Sequence, residues 1–132
     1  MAIIRYVPSS RPVRAGQMVF DQVDLFLSDG ETRSTGVLVA DLQMALQVGA
    51  TTLAWTLVTG SGVPDIRVAA GKVYWTETSP GFYSVRFFPH VVGLWRLILT
   101  YPAHDQVVSY SYDVSANNSS YVQGFKTSFT KR

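Results

Sequence analysis

The chain contains no cysteine. Disulfides, thiol nucleophiles, iron–sulfur clusters and thiolate zinc sites are therefore excluded, and cysteine usage gives no indication of the redox compartment. No apolar run approaches the roughly 18 residues of a membrane-spanning helix, and the N-terminal residues lack the basic-then-apolar order of a signal peptide. We therefore expect a soluble, unprocessed chain with no membrane partner.

Charged residues are also scarce, at 15% of the sequence, where about 25% is typical of soluble domains. Aromatic residues reach 13%, and 47% of the 132 residues are apolar, which is enough for the core of one compact domain. A surface poor in charge and rich in aromatic rings is typical of a protein that hides part of that surface against neighbours.

The few charges are unevenly placed along the chain. Residues 1–20 and 120–132 each carry three basic residues and no acid, whereas the segment between them has five basic and nine acidic residues. Basic ends around an acidic body suit copies that dock end onto body, because complementary fields steer association. Three scattered charges are too few for a patch that tracks phosphates, so no nucleic-acid partner is expected.

The residues that would carry catalysis are few. His90 and His104 are the two candidate imidazole bases, and both follow prolines at predicted strand ends, where a solvated histidine is the ordinary outcome. His104 and Asp105 could both ligate a metal, but no third ligand lies at a useful spacing. The loop sequence GSGVPD lacks the lysine and following helix of a phosphate site. We expect no enzyme activity, no cofactor and no metal.

Both ends of the chain are predicted to be extended. Pro8 and Pro12 favour an extended arm over residues 1–20, because proline fixes φ and lacks an N–H donor. Residues 115–132 have aromatic residues four apart, which permits a helix, but Gly124 and the Ser/Thr content favour an extended tail. The residues of these ends predicted to contact partners are Arg5, Tyr6, Arg11, Arg14, Tyr121, Phe125, Lys126, Phe129 and Arg132.

Residues 21–114 show the alternation of apolar and polar residues that marks strands with one buried face. The first run ends at the turn sequence 28–30, and the last covers residues 107–114. Residues 41–48 could form a strand or a helix. Seven to nine such runs, separated by Gly, Pro and Asp turns, predict an all-β fold: a sandwich of two antiparallel sheets.

The clearest region runs from residue 75 to residue 101. A turn at residues 79–81 separates two strands, and we expect Glu77 to cap it by accepting backbone N–H bonds while Gly81 supplies the backbone freedom. The aromatic side chains here are predicted to be core. The predicted core residues are Trp55, Trp75, Tyr83, Val85, Phe87, Trp95, Leu97 and Leu99.

Four short segments, taken in order, resemble a known family. The sequence has TGV at residues 35–37 followed by DLQMALQV at 41–48, then WTETSPGFY at 75–83 and GLWRLIL at 93–99. This order looks like the Ig-like β-sandwich modules of tailed-bacteriophage virion proteins, over residues 21–114. The resemblance implies an Ig-like fold and a structural role in a virion, as head decoration, neck, or tail or baseplate component.

Two functions are open at this stage. The first is an assembly module made in the host cytoplasm, whose partners are other virion proteins and copies of itself. Its arms would reach neighbours, for example by adding a strand to an open sheet edge. The alternative is a receptor- or glycan-binding module, in which exposed aromatic residues such as Tyr74 stack on sugar rings.

Overall fold

The structure is a computed structural model that describes residues 3–6, 11–60 and 71–116, with only the backbone of residues 3–6. These ranges hold ten strands. Their bounds are β1 Ile3–Tyr6, β2 Arg11–Arg14, β3 Val19–Asp24, β4 Gln43–Val48, β5 Thr51–Leu53, β6 Thr56–Thr59, β7 Lys72–Ser79, β8 Phe82–Phe87, β9 Gly93–Tyr101 and β10 Gln106–Ser115. Short 3-10 helices cover Val39–Asp41 and Pro102–His104.

The strands form two sheets. The six-stranded sheet has the order β1–β10–β9–β4–β5, with β2 also paired to β10, and the four-stranded sheet has the order β3–β8–β7–β6. Their inner faces share one apolar core. The predicted all-β sandwich is confirmed. Most pairings are antiparallel, but β1 and β2 run parallel to β10, and β6 runs parallel to β7.

The alternating apolar residues Leu53, Trp55 and Leu57 suggest a single strand, but this run is divided between the sheets. Leu53 lies opposite Leu46 in the six-stranded sheet, whereas Leu57 lies opposite Val73 in the four-stranded sheet. The chain crosses between the sheets at residues 54–55. The alternation continues through the crossing because both sheets turn one face to the same core. Period-2 alternation therefore reports burial and does not reveal the change of sheet.

Residues 41–48, for which the sequence permits a helix, contain strand β4. Leu46 is fully buried, and Met44 and Val48 pack against the core. These three side chains share one face only in an extended backbone. The 3-10 helix just before β4 is capped by Asp41, whose Oδ2 accepts the Leu38 N–H at 2.8 Å.

The N-terminal residues are extended, as predicted, but those described do not form a free arm. Strands β1 and β2 pair along β10, with Ile3 opposite Gln106 and Val13 opposite Val114. Val13 and Val19 are buried. The boundary placed after residue 20 is therefore wrong for these residues, because the backbone groups on the outer side of β10 need a partner strand. At the other end, β10 continues to Ser115, and residues 117–132 lie outside the described part.

The centre of the core is aromatic. Trp95 and Phe87 have no exposed surface and Tyr112 is 1% exposed. The Phe87 ring centroid lies 6.0 Å from that of Trp95 and 5.5 Å from that of Tyr112, so these rings link the inner faces of the two sheets. Of the predicted core residues, Trp55 alone is only partly buried. The buried ones are Trp75, Tyr83, Val85, Phe87, Trp95, Leu97 and Leu99.

Replacing Trp95 by alanine tests this account of the core. We expect the free energy of unfolding to fall by about 3–5 kcal/mol, because the truncation removes buried surface and leaves a cavity. Leu38→Ala is the control, since Leu38 is an apolar residue outside the strands and is 62% exposed; it should change stability by no more than about 0.5 kcal/mol. Urea unfolding of both variants is the measurement, and equal losses would contradict the assignment.

Candidate functional site

Glu77 holds two backbone segments at the end of β7. Its Oε2 accepts the N–H of Gly81 at 3.0 Å and the N–H of Gly36 at 3.2 Å. Gly81 has φ of 82°, and a Cβ there would lie 2.8 Å from the Cβ of Arg33, so only glycine fits this turn. The two N–H donors hold the pKa of the Glu77 carboxyl below its ordinary value. Hydrogen bonding that favours the charged form explains this shift.

Two aromatic side chains bind the same segment from the core side. The Tyr83 hydroxyl donates to the carbonyl of Ser34 at 2.7 Å and accepts the Val37 N–H at 3.1 Å. The Trp75 Nε1–H donates to the Val37 carbonyl at 3.0 Å. The two rings stack with centroids 4.7 Å apart. Burial raises the pKa of Tyr83 to about 12, so the hydroxyl keeps its proton and remains a donor.

The turn after β3 is braced by Asp29. Its Oδ1 accepts the N–H groups of Glu31 and Thr32, and its Oδ2 accepts the Thr32 hydroxyl at 2.6 Å. These bonds, led by the one from the hydroxyl, lower the Asp29 pKa to about 2. The carboxylate thus closes a local turn in its charged form.

Ser28 and His104 form a contact that superficially suggests a nucleophile and its base. The Ser28 hydroxyl lies 2.8 Å from His104 Nδ1, and the Ser28 N–H also donates to that nitrogen at 3.1 Å. Activation of serine needs a third group that orients the other ring nitrogen. No such hydrogen bond occurs among the described residues. The pair instead ties the turn after β3 to the turn before β10.

His90 makes a different contact, since it stacks on Trp55 with centroids 6.0 Å apart and planes 17° apart.

Within the described ranges, no three His, Asp or Glu side chains are grouped so that they could hold a metal ion. A search of the same ranges for a helix long and apolar enough to cross a bilayer finds none. Among the described residues, a surface cavity of about 280 Å³ is lined by Arg14, Ala15, Gly16 and Gln17.

Arg11, predicted as a partner contact, is engaged within the chain. Its Nη1 pairs with Asp21 Oδ1 at 2.9 Å and donates to the Phe20 carbonyl at 2.7 Å. The other Asp21 oxygen accepts the Tyr112 hydroxyl at 2.6 Å. Burial raises the pKa of Tyr112 above its ordinary value. This network joins β2 and β10 of one sheet to β3 of the other and closes that side of the sandwich.

The other predicted contact residues at the chain ends are placed as follows. Arg5 and Tyr6 lie on β1, opposite Val108 and Ser109 of β10. Arg14 lies on β2, is exposed and donates its backbone N–H to Gln17 Oε1. The predicted contacts that lie outside the described residues are Tyr121, Phe125, Lys126, Phe129 and Arg132.

Sequence reasoning missed the large apolar side chains that face solvent. These are Phe20, Leu38, Phe82, Val91, Val92 and Leu94, with exposed fractions of 44%, 62%, 39%, 42%, 56% and 45%. Three of them fall within residues 91–94. The adjacent valines between Pro89 and Gly93 are a signal in the sequence that could have revealed this cluster, since apolar pairs are unusual in loops.

Comparison with known proteins identifies the fold of the chain but does not assign it to a family. No family model and no curated protein matches the chain. Among solved structures, the Lin-41 filamin domain is 14% identical, covers 83% of this chain and 87% of its own, and has a TM-score of 0.52. The titin M3 domain is 10% identical, covers 89% and 92% of the two chains, and has a TM-score of 0.36.

A third structure is a putative glycoside hydrolase from Bacteroides vulgatus ATCC 8482, at 12% identity and a TM-score of 0.49. The match covers 83% of this chain but 17% of the hydrolase. Likeness at such identities concerns the fold alone. The chain is an Ig-like β-sandwich.

Neutralising Glu77 tests its role as a brace. The folded-state pKa of Glu77 lies below its ordinary value of 4.5. Its carboxylate therefore adds stability that is fully present above about pH 4.5 and is lost as the pH falls through the folded-state pKa. We expect Glu77→Gln to lower the urea midpoint near neutral pH, and the difference from the parent chain to shrink towards about pH 3.

Glu31→Gln is the control for this measurement. Glu31 is exposed, and its carboxylate makes no hydrogen bond to other described residues. This variant should leave the midpoint unchanged near neutral pH. A Glu77→Gln effect that is independent of pH would show that the carboxylate charge does not stabilise the turn.

Proposed function

We propose that this chain is a non-enzymatic structural protein of a tailed-phage virion, as a head-decoration, neck, or tail or baseplate component. It assembles through the outer surface of its sandwich. Its partners are other virion proteins and copies of itself, in a particle whose parts are made in the host cytoplasm. It uses no cofactor.

The observation that carries this proposal is the contact between two segments of the family resemblance. Residues 35–37 and 75–83 are about 40 positions apart in the sequence. Nevertheless, Glu77 accepts from Gly36, while Tyr83 and Trp75 bind the two backbone groups of Val37. The residues that carry the resemblance therefore form one structural unit. These contacts support the interpretation that the resemblance reflects a common structural motif. A chance order of common residues would explain the resemblance less well.

The use of the polar side chains supports a structural role as well. In the described part of the chain, the hydrogen-bonded carboxylates, tyrosines and histidine connect strands and turns to each other. Several large apolar side chains are exposed to solvent, and Leu38 at 62% and Val92 at 56% are the most exposed of them. Such side chains suit contact with other proteins.

The proposed route through a free N-terminal arm needs revision. Strands β1 and β2 already pair along β10 at the edge of their own sheet, so this segment does not reach out as a free arm while it stays paired there. Contacts between proteins therefore depend on the faces of the sandwich and, in this proposal, on the tail beyond residue 116.

The alternative of glycan binding gains no support from the aromatic residues. Tyr74 packs on the Cα of Gly60, where a Cβ would lie 2.2 Å from the ring. Trp55 stacks on His90, and the Arg33 guanidinium carbon lies 4.0 Å from the centroid of Phe82. A ring whose face is occupied offers less surface to a sugar. Assembly is the better interpretation.

The test is to ask whether the chain belongs to the particle. Particles purified from producing cells should contain it at a fixed copy number relative to the major capsid protein, measured by quantitative mass spectrometry. Cryo-EM of the same particles would give its position. A chain that is present in the cells but absent from purified particles would overturn the proposal.

Three surface variants test which part of the sandwich contacts other virion proteins. Each variant is expressed in cells that are assembling particles. Phe20→Asp, Leu38→Asp and Val92→Asp each place a charge at a separate exposed apolar position. At least one should lower incorporation by roughly tenfold or more, because a buried contact that gains an unpaired charge loses well over 1.4 kcal/mol. Thr56→Asp, at an exposed polar position of β6 on the four-stranded sheet, is the control and should be incorporated normally. Normal incorporation of all four would exclude these faces.

A further inference from the structure

One apolar cluster lies beside exposed charges of both signs. Val91, Val92 and Leu94 are 42%, 56% and 45% exposed at the start of β9. The loop that presents them is held in place, because the Trp95 Nε1–H donates to the Val91 carbonyl at 2.8 Å. The Leu94 carbonyl in turn accepts the Gly49 N–H at 2.9 Å. This cluster is therefore a fixed part of the surface.

Leu94 also belongs to the outer face of the six-stranded sheet. Trp95 and Leu97 point into the core, so Leu94 and Arg96 point outward. On β10, Tyr112 and Val114 are buried, which turns Asp113 outward opposite Leu94. The other outward positions of β4, β9 and β10 are uncharged. They are Gln43, Ala45, Gln47, Ile98, Thr100, Val107, Ser111 and Ser115, together with Ser109, which is only 7% exposed.

Arg96 and Asp113 are thus the two charged residues on this face of β4, β9 and β10. Both are exposed, and neither forms an ion pair or side-chain hydrogen bond with another described residue. Arg96 lies opposite Ser111, while Asp113 lies opposite Leu94. The two charges are therefore diagonal neighbours on adjacent strands, with Leu94 and Ser111 at the other two corners.

We propose that this face, from Val91 and Val92 through Leu94 to Arg96 and Asp113, binds a second copy of the chain. A two-fold axis parallel to the sheet and close to Leu94 and Ser111 places Arg96 of each copy against Asp113 of the other. It also places Leu94 against Leu94. An isologous contact of this kind pairs unlike charges twice.

The face is large enough for such a contact. Strand β9 has nine residues, or about 30 Å, and neighbouring strands are about 4.8 Å apart. The outer face of the six-stranded sheet, which is five strand positions wide, then offers on the order of 600 Å² per copy, to which the 91–92 loop adds. A standard protein interface takes about 800 Å² from each partner. This inference rests on the proposed function and names one of its partners, the chain itself.

The experiment uses the full-length chain in sedimentation velocity over a wide concentration range. The parent chain should form dimers. Arg96→Asp and Asp113→Arg should each weaken dimerisation by at least about tenfold, because each places like charges together. The double variant carrying both changes should return to within about threefold of the parent, since it restores the unlike pairs in reverse. Lys72→Asp, an exposed charge change on the other sheet, is the control and should not alter dimerisation.

A cysteine substituted for Leu94 gives a second readout, because the natural chain has no cysteine to interfere. With a mild oxidant added to accept the two electrons, Leu94→Cys should form a disulfide between two copies, since the axis brings the two thiols together. A parent chain that stays monomeric overturns the inference, as does a double variant that is no better than either single variant. A monomeric Leu94→Cys variant whose introduced thiol is protected from labelling also overturns it, and would indicate that another part of the same chain covers the face.

These results are independent of the particle experiment. A chain that dimerises but is absent from particles contradicts the proposed function and leaves the dimer face in place. A chain that is found in particles but never dimerises gives the opposite result.

Discussion

The constraint on which the rest of the structure depends is the attachment of Val37 to Trp75 and Tyr83. The segment around Val37 leaves β3 of one sheet and leads to β4 of the other, so it spans the open end of the sandwich. Both backbone polar groups of Val37 are bound by side chains of the four-stranded sheet, and Val37 itself is buried. A buried backbone group without a partner would cost free energy, so these bonds determine where the crossing segment lies.

The same principle accounts for the other polar side chains. Gln106 has no exposed surface, and its amide accepts the Phe26 N–H at 2.7 Å and donates to the Asp24 carbonyl at 3.0 Å. It satisfies the backbone just beyond β3, where ladder bonding ends. With Tyr112 and Asp21, it gives the two sheets polar connections along one side. The polar side chains of the described residues therefore serve to position strands relative to each other. The outer faces of the sandwich carry few charges.

Those outer faces are where assembly is proposed to occur. Low charge and exposed apolar side chains are a disadvantage for an isolated protein and an advantage for one that is covered by neighbours. Among the faces, the one around Leu94 differs because the two charges that β9 and β10 place there, Arg96 and Asp113, have opposite signs and a geometry that a two-fold axis can satisfy. Its specificity would come from this pair, while the apolar side chains supply the contact area.

The sequence alone determined which side chains face inward. The sets Tyr83, Val85, Phe87 and Trp95, Leu97, Leu99 follow from local alternation, because a strand with one buried face imposes a period of two on its own residues. Tertiary structure decided which strands pair, that residues 53–57 cross between sheets, and that residues 3–14 lie along β10. These arrangements depend on backbone groups meeting across long sequence separations, and backbone hydrogen bonding leaves little trace in residue type. For the same reason, the sequence gives no indication that Leu94, Arg96 and Asp113 are neighbours. The pairing of β9 with β10 places them on one face.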